Sequence, residues 1–424
     1  MITRPRKEFK NGVPDRRLLE SCLWEHMGEV DRLSRLRAYY DGRHPISGRT
    51  RSPGLPNNHL VHAFPRYIST MAAGYLIGNP VMYESDGQQD ALESLRRAYV
   101  RCAADSVDAE LARNASIFGK GVELVFADAQ ARPCTAALDP RDAFVVYDDS
   151  VERRPLLGMY VIPDRTPGGN LQGFIVEVYT DENILRYRVK TLQDARLDVP
   201  ESIRPHYFGG VPLIEYWNDE DERGDFEGVL SLIDAYDLLQ SDRLNDKQQF
   251  VDALLILYGC TLETDARGRT PGQQLREDKA LSLPDCDAHA EWLCKQMNEA
   301  DTEVLKNAVK ADIHKMCMVP DLTDEQFAGN SSGVAMRYKL LGLEQLTKIK
   351  ERWFREALRC RLRAFAHFLA FRGEKRLDVE NVRMVFTRAL PVNELETAQT
   401  LRNLEGILPE EELQRRAMNM SGNR

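Results

Sequence analysis

Hydrophobic positions along this chain change period several times, and the changes divide it into blocks. Over residues 15–40, Leu18, Leu19, Cys22, Leu23 and His26 recur at helical spacing with charges between them, which predicts an amphipathic helix. Tyr39-Tyr40-Asp41-Gly42 closes it, and the Gly-, Pro- and Arg-rich stretch 42–58 reads as an extended arm or loop. Residues 60–77 return to helix, Gly78-Asn79-Pro80 stops it, and 81–83 start a strand. Residues 88–118 are helical again. From 121 to 217 the period shortens to that of strands, in runs such as VELVFAD, AFVVYDD, LLGMYVIP, GFIVEVYT and ILRYRVK. A late run, VRMVFT at 382–387, reads as a lone strand and is expected to join that earlier sheet, because an isolated strand leaves its ladder unpaired.

The second half is dominated by helix. A pattern over 225–257 opens with acids that suit the positive end of a helix dipole. Val229, Leu232, Ile233, Tyr236 and Leu239 form one apolar stripe, and Phe250, Leu254 and Leu257 form another. The middle, SDRLNDKQQ, is polar and predicts a kink or a change of partner. A Gly/Pro-punctuated insert runs to about 294, a second helix spans 299–318, and the small-residue loop Gly329-Asn330-Ser331-Ser332-Gly333 follows. One very long helix is expected over 334–371, with Phe354, Leu358, Leu362, Phe365 and Leu369 on one face. Its span of ~57 Å at the usual rise is long for a lone domain and suits a strut in an assembly. Residues 393–420 read as two short helices broken at Pro409.

Composition narrows the class. The chain has 424 residues, 43% hydrophobic and 29% charged, so a packed core is feasible and wholesale disorder is not. A net charge of -9 argues against a surface that grips nucleic acid throughout. Eight cysteines without framework spacing read as reduced thiols, and no apolar run approaches a membrane span, so a soluble intracellular protein is expected.

Catalytic signatures are weak. Phe118-Gly119-Lys120-Gly121 lacks the upstream glycine and the Ser/Thr of a phosphate loop and reads as a strand-opening turn. Asp219-Glu220-Asp221-Glu222-Arg223-Gly224 begins like a calcium loop, but Leu230 stands where a bidentate Glu belongs. Cys286, His289 and Cys294 have no second pair at zinc-finger distance. The acids Asp139, Asp142, Asp148 and Asp149 could hold magnesium in a metal-dependent nuclease or motor-associated subunit, which is the alternative reading. Their setting reads more simply as a strand with acidic turns at both ends.

A series of strings in fixed order resembles a known family. They are Tyr39-Tyr40-Asp41-Gly42-Arg43-His44-Pro45-Ile46, Pro56-Asn57-Asn58-His59-Leu60-Val61 and Gly74-Tyr75-Leu76-Ile77-Gly78-Asn79-Pro80-Val81. Phe208-Gly209-Gly210-Val211-Pro212-Leu213-Ile214-Glu215-Tyr216, Asp225-Phe226-Glu227-Gly228, Ser332-Gly333-Val334-Ala335 and Phe386-Thr387-Arg388-Ala389-Leu390-Pro391-Val392-Asn393 continue it. Across roughly 38–405 the chain resembles the portal, or head-to-tail connector, proteins of tailed bacteriophages, in a Bacillus siphophage-like branch. The resemblance implies an α+β portal-type fold. Residues 1–224 form most of a wing, 225–257 and 298–318 two stem helices, 258–297 a small α/β clip, and 319–333 a tunnel loop. Residues 334–392 form a long wing helix plus a returning strand, and 393–424 a helical crown. It further implies a homo-oligomeric ring, usually of twelve subunits, at one capsid vertex. The resemblance also implies that double-stranded DNA is packaged and ejected through the channel of that ring. Implied partners are the terminase large subunit, a head-tail adaptor, scaffolding protein and major capsid protein. The expected setting is the virion, with the host cytoplasm during assembly. No catalytic residue, metal or cofactor is implied.

Electrostatics fits a conduit. Duplex DNA carries one charge per ~1.7 Å of axis, so a channel that neutralised many phosphates would hold it fast. An acidic wall lets it slide. Asp321, Asp324, Glu325, Asn330 and Ser331 of the loop are candidate channel residues, with Lys306, Lys310 and Lys315 as candidate weak phosphate contacts or simply a solvated helix face. Leu346, Ile349 and Trp353 are candidates for a second, subunit-facing stripe on the long helix, or for packing on their own wing.

Overall fold

The computed structural model describes residues 1–6, 9–10, 13–53, 55–250, 254–258, 264, 268–270, 273, 289–293, 299–322, 338–388 and 402. In chain order the helices are α1 (Arg16–Tyr40), α2 (Phe64–Ile77), α3 (Gln89–Arg101), α4 (Ala104–Phe118), α5 (Leu230–Phe250), α6 (Glu299–Met316) and α7 (Leu341–Phe371). The strands are β1 (Ile2–Arg4), β2 (Phe9–Lys10), β3 (Val13–Pro14), β4 (Met82–Glu84), β5 (Lys120–Ala127), β6 (Pro133–Leu138), β7 (Ala143–Asp148), β8 (Pro155–Arg165), β9 (Leu171–Tyr179), β10 (Asn183–Val189), β11 (Ser202–Pro205), β12 (Leu213–Trp217), β13 (Leu254–Tyr258), β14 (His289–Leu293) and β15 (Arg383–Val385). Two units separate. One comprises Met1–Arg43, Ala63–Leu230 and Ile313–Arg424; the other comprises His44–His62 and Ser231–Asp312.

The β-rich part of the first unit is built around β7. Its sequence AFVVYD is buried at every position, so both faces are covered. Phe144 and Val146 point into one cluster with Leu157, Met159, Val176 and Val178, roofed by Leu18, Leu19, Cys22 and Leu23 of α1. Ala143, Val145 and Tyr147 point the other way, onto Val122 and Leu213. This alternation places β7 in a sheet ordered β1-β7-β8-β9-β10-β11, packed on a smaller sheet ordered β12-β5-β6. β1 pairs parallel to β7, Ile2 beside Val146. Periodicity alone gave no sign of so short an edge strand.

The second core is helical. Phe354, Leu358, Leu362 and Phe365 of α7 pack against Leu92, Leu95 and Tyr99 of α3, Leu111 of α4, Leu76 of α2 and Tyr216 of β12. The fold is therefore α+β, with helices and sheets segregated rather than alternating. α7 runs 31 residues, ~46 Å at the usual rise.

Four sequence expectations change. The helix expected over 88–118 breaks into α3 and α4 at Cys102-Ala103, where Ala103 takes a left-handed φ of 51°. The late strand does not join the large sheet: β15 pairs antiparallel with β4, Met384 beside Tyr83. The helix expected to reach 257 stops at Phe250, and LLILY forms β13, paired with β14 as Leu255 beside Trp292. An unbroken apolar run suits a strand as well as a helix, and tertiary pairing decides it. The long helix begins at Leu341; residues 334–337 lie outside the described residues, as do the loop at 323–333 and the expected crown at 393–424 apart from Arg402.

Candidate functional site

The segments just before α5 and just after α6, which flank the helices expected to form the channel wall, make defined contacts within the first unit. Just before α5, the buried Asp225 carboxylate is paired with the buried Lys350 ammonium of α7. Asp225 also accepts from Ser116 Oγ at 2.5 Å and Asn218 Nδ2 at 2.9 Å, so α4, the β12 exit and α7 converge on one carboxylate. Cys317, at the end of α6, lies in the same region; burial pushes its thiol up to about 12, and the Asp225 charge adds to the shift. Further along, Arg388 reaches back to Glu351 at 2.7 Å and Glu344 at 3.1 Å on α7. Its guanidinium lies over the Tyr75 ring of α2 at 5.8 Å. Side chains from distant parts of the chain thus meet, within the first unit, at the residues just before α5 and along α7.

In the second unit, residues 44–62 are laced to α5. Asp237, Ser241 and Asn245 are fully buried and stand one turn apart. Asp237 receives His44 Nδ1 at 2.5 Å, His62 Nδ1 at 2.8 Å and the His62 amide at 2.9 Å. Burial works to raise the Asp237 pKa; the His44 and His62 hydrogen bonds outweigh it and hold it below the usual range. The Leu60 amide donates to Ser241 Oγ at 2.9 Å, and the Asn58 amide to Asn245 Oδ1 at 2.6 Å. This is the change of partner that the polar SDRLNDKQQ run foretold. Arg243 of α5 meets Glu303 of α6 at 2.9 Å.

The candidate phosphate contacts are spread around α6. Lys306 is paired with Glu303 one turn back, Lys310 is half-buried, and Lys315 is exposed. Lys306 and Lys310 share a face, but Lys315 lies about 140° round the helix from Lys310, so the three form no single stripe. Asp321 is half-buried just beyond α6. Asp324, Glu325, Asn330 and Ser331 lie outside the described residues. On α7, Leu346 is half-buried and Ile349 exposed. Trp353 meets Trp217 of its own chain with ring centroids 5.1 Å apart, at the edge of a cleft of ≈ 850 Å³ that Val151, Leu213 and Cys360 also line.

Two acids of the nuclease alternative, Asp139 and Asp148, serve local turns instead. Arg141 occupies both oxygens of Asp139, at 2.9 and 2.6 Å. Asp148 Oδ1 accepts from Ser150 Oγ at 2.6 Å and the Arg154 amide at 3.0 Å. Among the described residues, no group of three or more His, Cys, Asp or Glu side chains is placed to hold a metal ion. Asp219 Oδ1 caps the amides of Asp221 and Arg223, a turn rather than a calcium loop. Gly119 takes φ 88°, and a Cβ there would meet Glu222 O at 1.9 Å, so close backbone approach explains this glycine. Of Cys286, His289 and Cys294, neither cysteine falls within the described residues. Among those residues, no helix is long and apolar enough to cross a membrane.

Sequence reasoning quoted Asp237 only within a family string and passed over Lys350 and Tyr67, the last described below. Each looks ordinary in its own segment and matters only for what the fold brings to it.

A family described as phage portal protein, SPP1 Gp6-like, matches residues 19–423. The portal protein of Bacillus phage SPP1 is 24% identical over 423 residues, covering 92% of this chain and 80% of that protein. The portal protein of Clostridium phage phiCD119 is 22% identical over 373 residues, covering 83% of this chain and 80% of that one. A solved chain from the neck of an empty GTA particle superposes with a TM-score of 0.47 at 12% identity, over 86% of this chain and 90% of that one. With a family match running from the first helix through the long α7 strut and beyond, this chain belongs to the SPP1-like phage portal proteins.

Proposed function

We propose that twelve copies of this chain close a ring at one capsid vertex, and that double-stranded DNA is packaged and later ejected through its axial channel. The observation that carries this reading is a pair of neighbouring apolar side chains left in water on α6. Val304 is 70% exposed and Leu305 53%. A chain that leaves such residues in water gains by covering them, and a repeated heterologous contact with the next copy does so while closing a ring. Ile349 of α7, with Leu346 and Trp353 beside it, is the second candidate for contact with a neighbouring copy.

In this reading α5 and α6 are the stem, rooted in the wing through Asp225 and Lys350. The antiparallel pair β13 and β14 belongs to the clip, where the terminase large subunit and then the head-tail adaptor dock. The wing meets scaffolding and major capsid proteins during assembly in the host cytoplasm, and the finished ring stays in the virion. Lys306, Lys310, Lys315 and the loop residues Asp321, Asp324, Glu325, Asn330 and Ser331 meet the duplex weakly, on a protein whose net charge of -9 keeps DNA from sticking. The role is structural, without catalysis or cofactor. Electron microscopy of the purified protein tests it. Annular particles viewed down a symmetry axis are expected; a particle that stays monomeric at high concentration in every buffer overturns the proposal.

A further inference from the structure

The exit of α6 is held by one phenol of α2. After Met316 the chain passes through buried Cys317, turns at Met318 with a left-handed φ of 56°, and plants Val319 fully in the core. His314 Nδ1 donates to the Val319 carbonyl at 3.0 Å, tying the last turn of the helix to the segment that leaves it. The Tyr67 hydroxyl then donates to the Pro320 carbonyl at 2.8 Å and accepts from the Leu322 amide at 3.2 Å. One side chain thus holds the backbone on both sides of Asp321. The His314 ring sits edge-on between Phe64 and Tyr67, at centroid distances of 5.9 and 5.7 Å, and keeps the phenol in place.

We infer that Tyr67 is the positioning residue for Asp321: it couples wing helix α2 to the segment that carries this acid toward the channel. The inference rests on the channel reading above and deepens it. A hydroxyl that donates and accepts at once fixes direction as well as distance, which an apolar contact of equal area would not do. Movement of α2 is therefore passed to the 320–322 segment through two hydrogen bonds.

Tyr67→Phe removes both bonds and keeps the ring. In the purified chain, hydrogen exchange at the Leu322 amide should accelerate at least tenfold, with α2 and α7 amides unchanged. Unaltered exchange at Leu322 overturns the inference. Phe64→Leu serves as a control that spares both bonds; equal acceleration there would mean that general packing, not the phenol, holds the segment. The second measurement is the amount of DNA packaged by particles carrying the variant chain, compared with Asp321→Asn and the double variant. If Tyr67 acts through Asp321, the double variant loses no more than the worse single one; losses that multiply overturn the coupling. Rings that form normally but package no DNA with the unmutated chain would defeat the channel reading alone. The exchange result would still decide what Tyr67 holds.

Discussion

Arg361 is the largest fully buried side chain in the described residues, and its neighbours show what the helical core tolerates. Its Nε lies 2.5 Å from Glu123 Oε1, and its Nη2 2.5 Å from Asp108 Oδ1. The rings of Tyr99 and Tyr216 flank the guanidinium at 5.8 Å, and Tyr216 donates to Glu123 at 2.6 Å. Arg361→Met would leave two carboxylates buried without their cation, and a loss of about 3–5 kcal/mol is expected in denaturant unfolding. The deficit should shrink as pH falls and the orphaned acids protonate. His26 provides the opposite pH signature. Its ring stacks on Phe144 at 4.2 Å, and its Nε2 donates to the Arg141 carbonyl at 2.9 Å. Burial lowers its pKa from 6.5 to about 4. The folded state therefore binds the proton less well than the unfolded one. The stabilisation is fully present above pH 6.5 and is lost as pH falls toward 4, by roughly 3 kcal/mol in all. His26→Gln keeps a donor without the titration, so its stability should fall less across that window than the parent's. Parallel unfolding curves for the two proteins would refute this.

Elements were legible where one face of an amphipathic pattern meets the core. α1 lies almost where its spacing predicted, and the α7 stripe from Phe354 to Leu369 is buried throughout. Legibility failed where a partner decides. LLILY is a strand because β14 lies beside it, and β15 is a strand because β4 does. Of the candidate site, helix α6 and most of α5 could be read from the sequence. The Asp225–Lys350 pair could not, because its members stand 125 residues apart. The 44–62 arm is the intermediate case: a polar stretch of α5 announced a partner without naming it. Asp237→Ala removes the acceptor for two imidazoles and an amide, each charge-assisted bond worth about 1.5–3 kcal/mol. The arm should loosen from α5 locally, and tryptic cleavage at Arg49 and Arg51 should quicken at least tenfold while the first unit unfolds as before. Unchanged cleavage would mean that the Asn58–Asn245 and Leu60–Ser241 bonds hold the arm alone.

At the scale of the whole molecule, the sequence pointed to an assembly because its helices are long, but length proved the weaker clue. α7, the longest, buries most of one side inside its own unit. The shorter α6 keeps Val304 and Leu305 in water at adjacent positions, where Glu or Lys would be the ordinary surface choice. Since both are exposed in the single chain, replacing them with charge should cost the monomer little, within about 0.5 kcal/mol each. In a ring, the same charges would be buried against a neighbour at every contact. Val304→Glu with Leu305→Lys is therefore expected to leave the thermal midpoint of the monomer within about 2 °C and to abolish ring formation in sedimentation velocity. Rings that form at the parent's concentration would show that α6 faces solvent or the channel. The contact between copies would then have to lie on the exposed Ile349 side of α7.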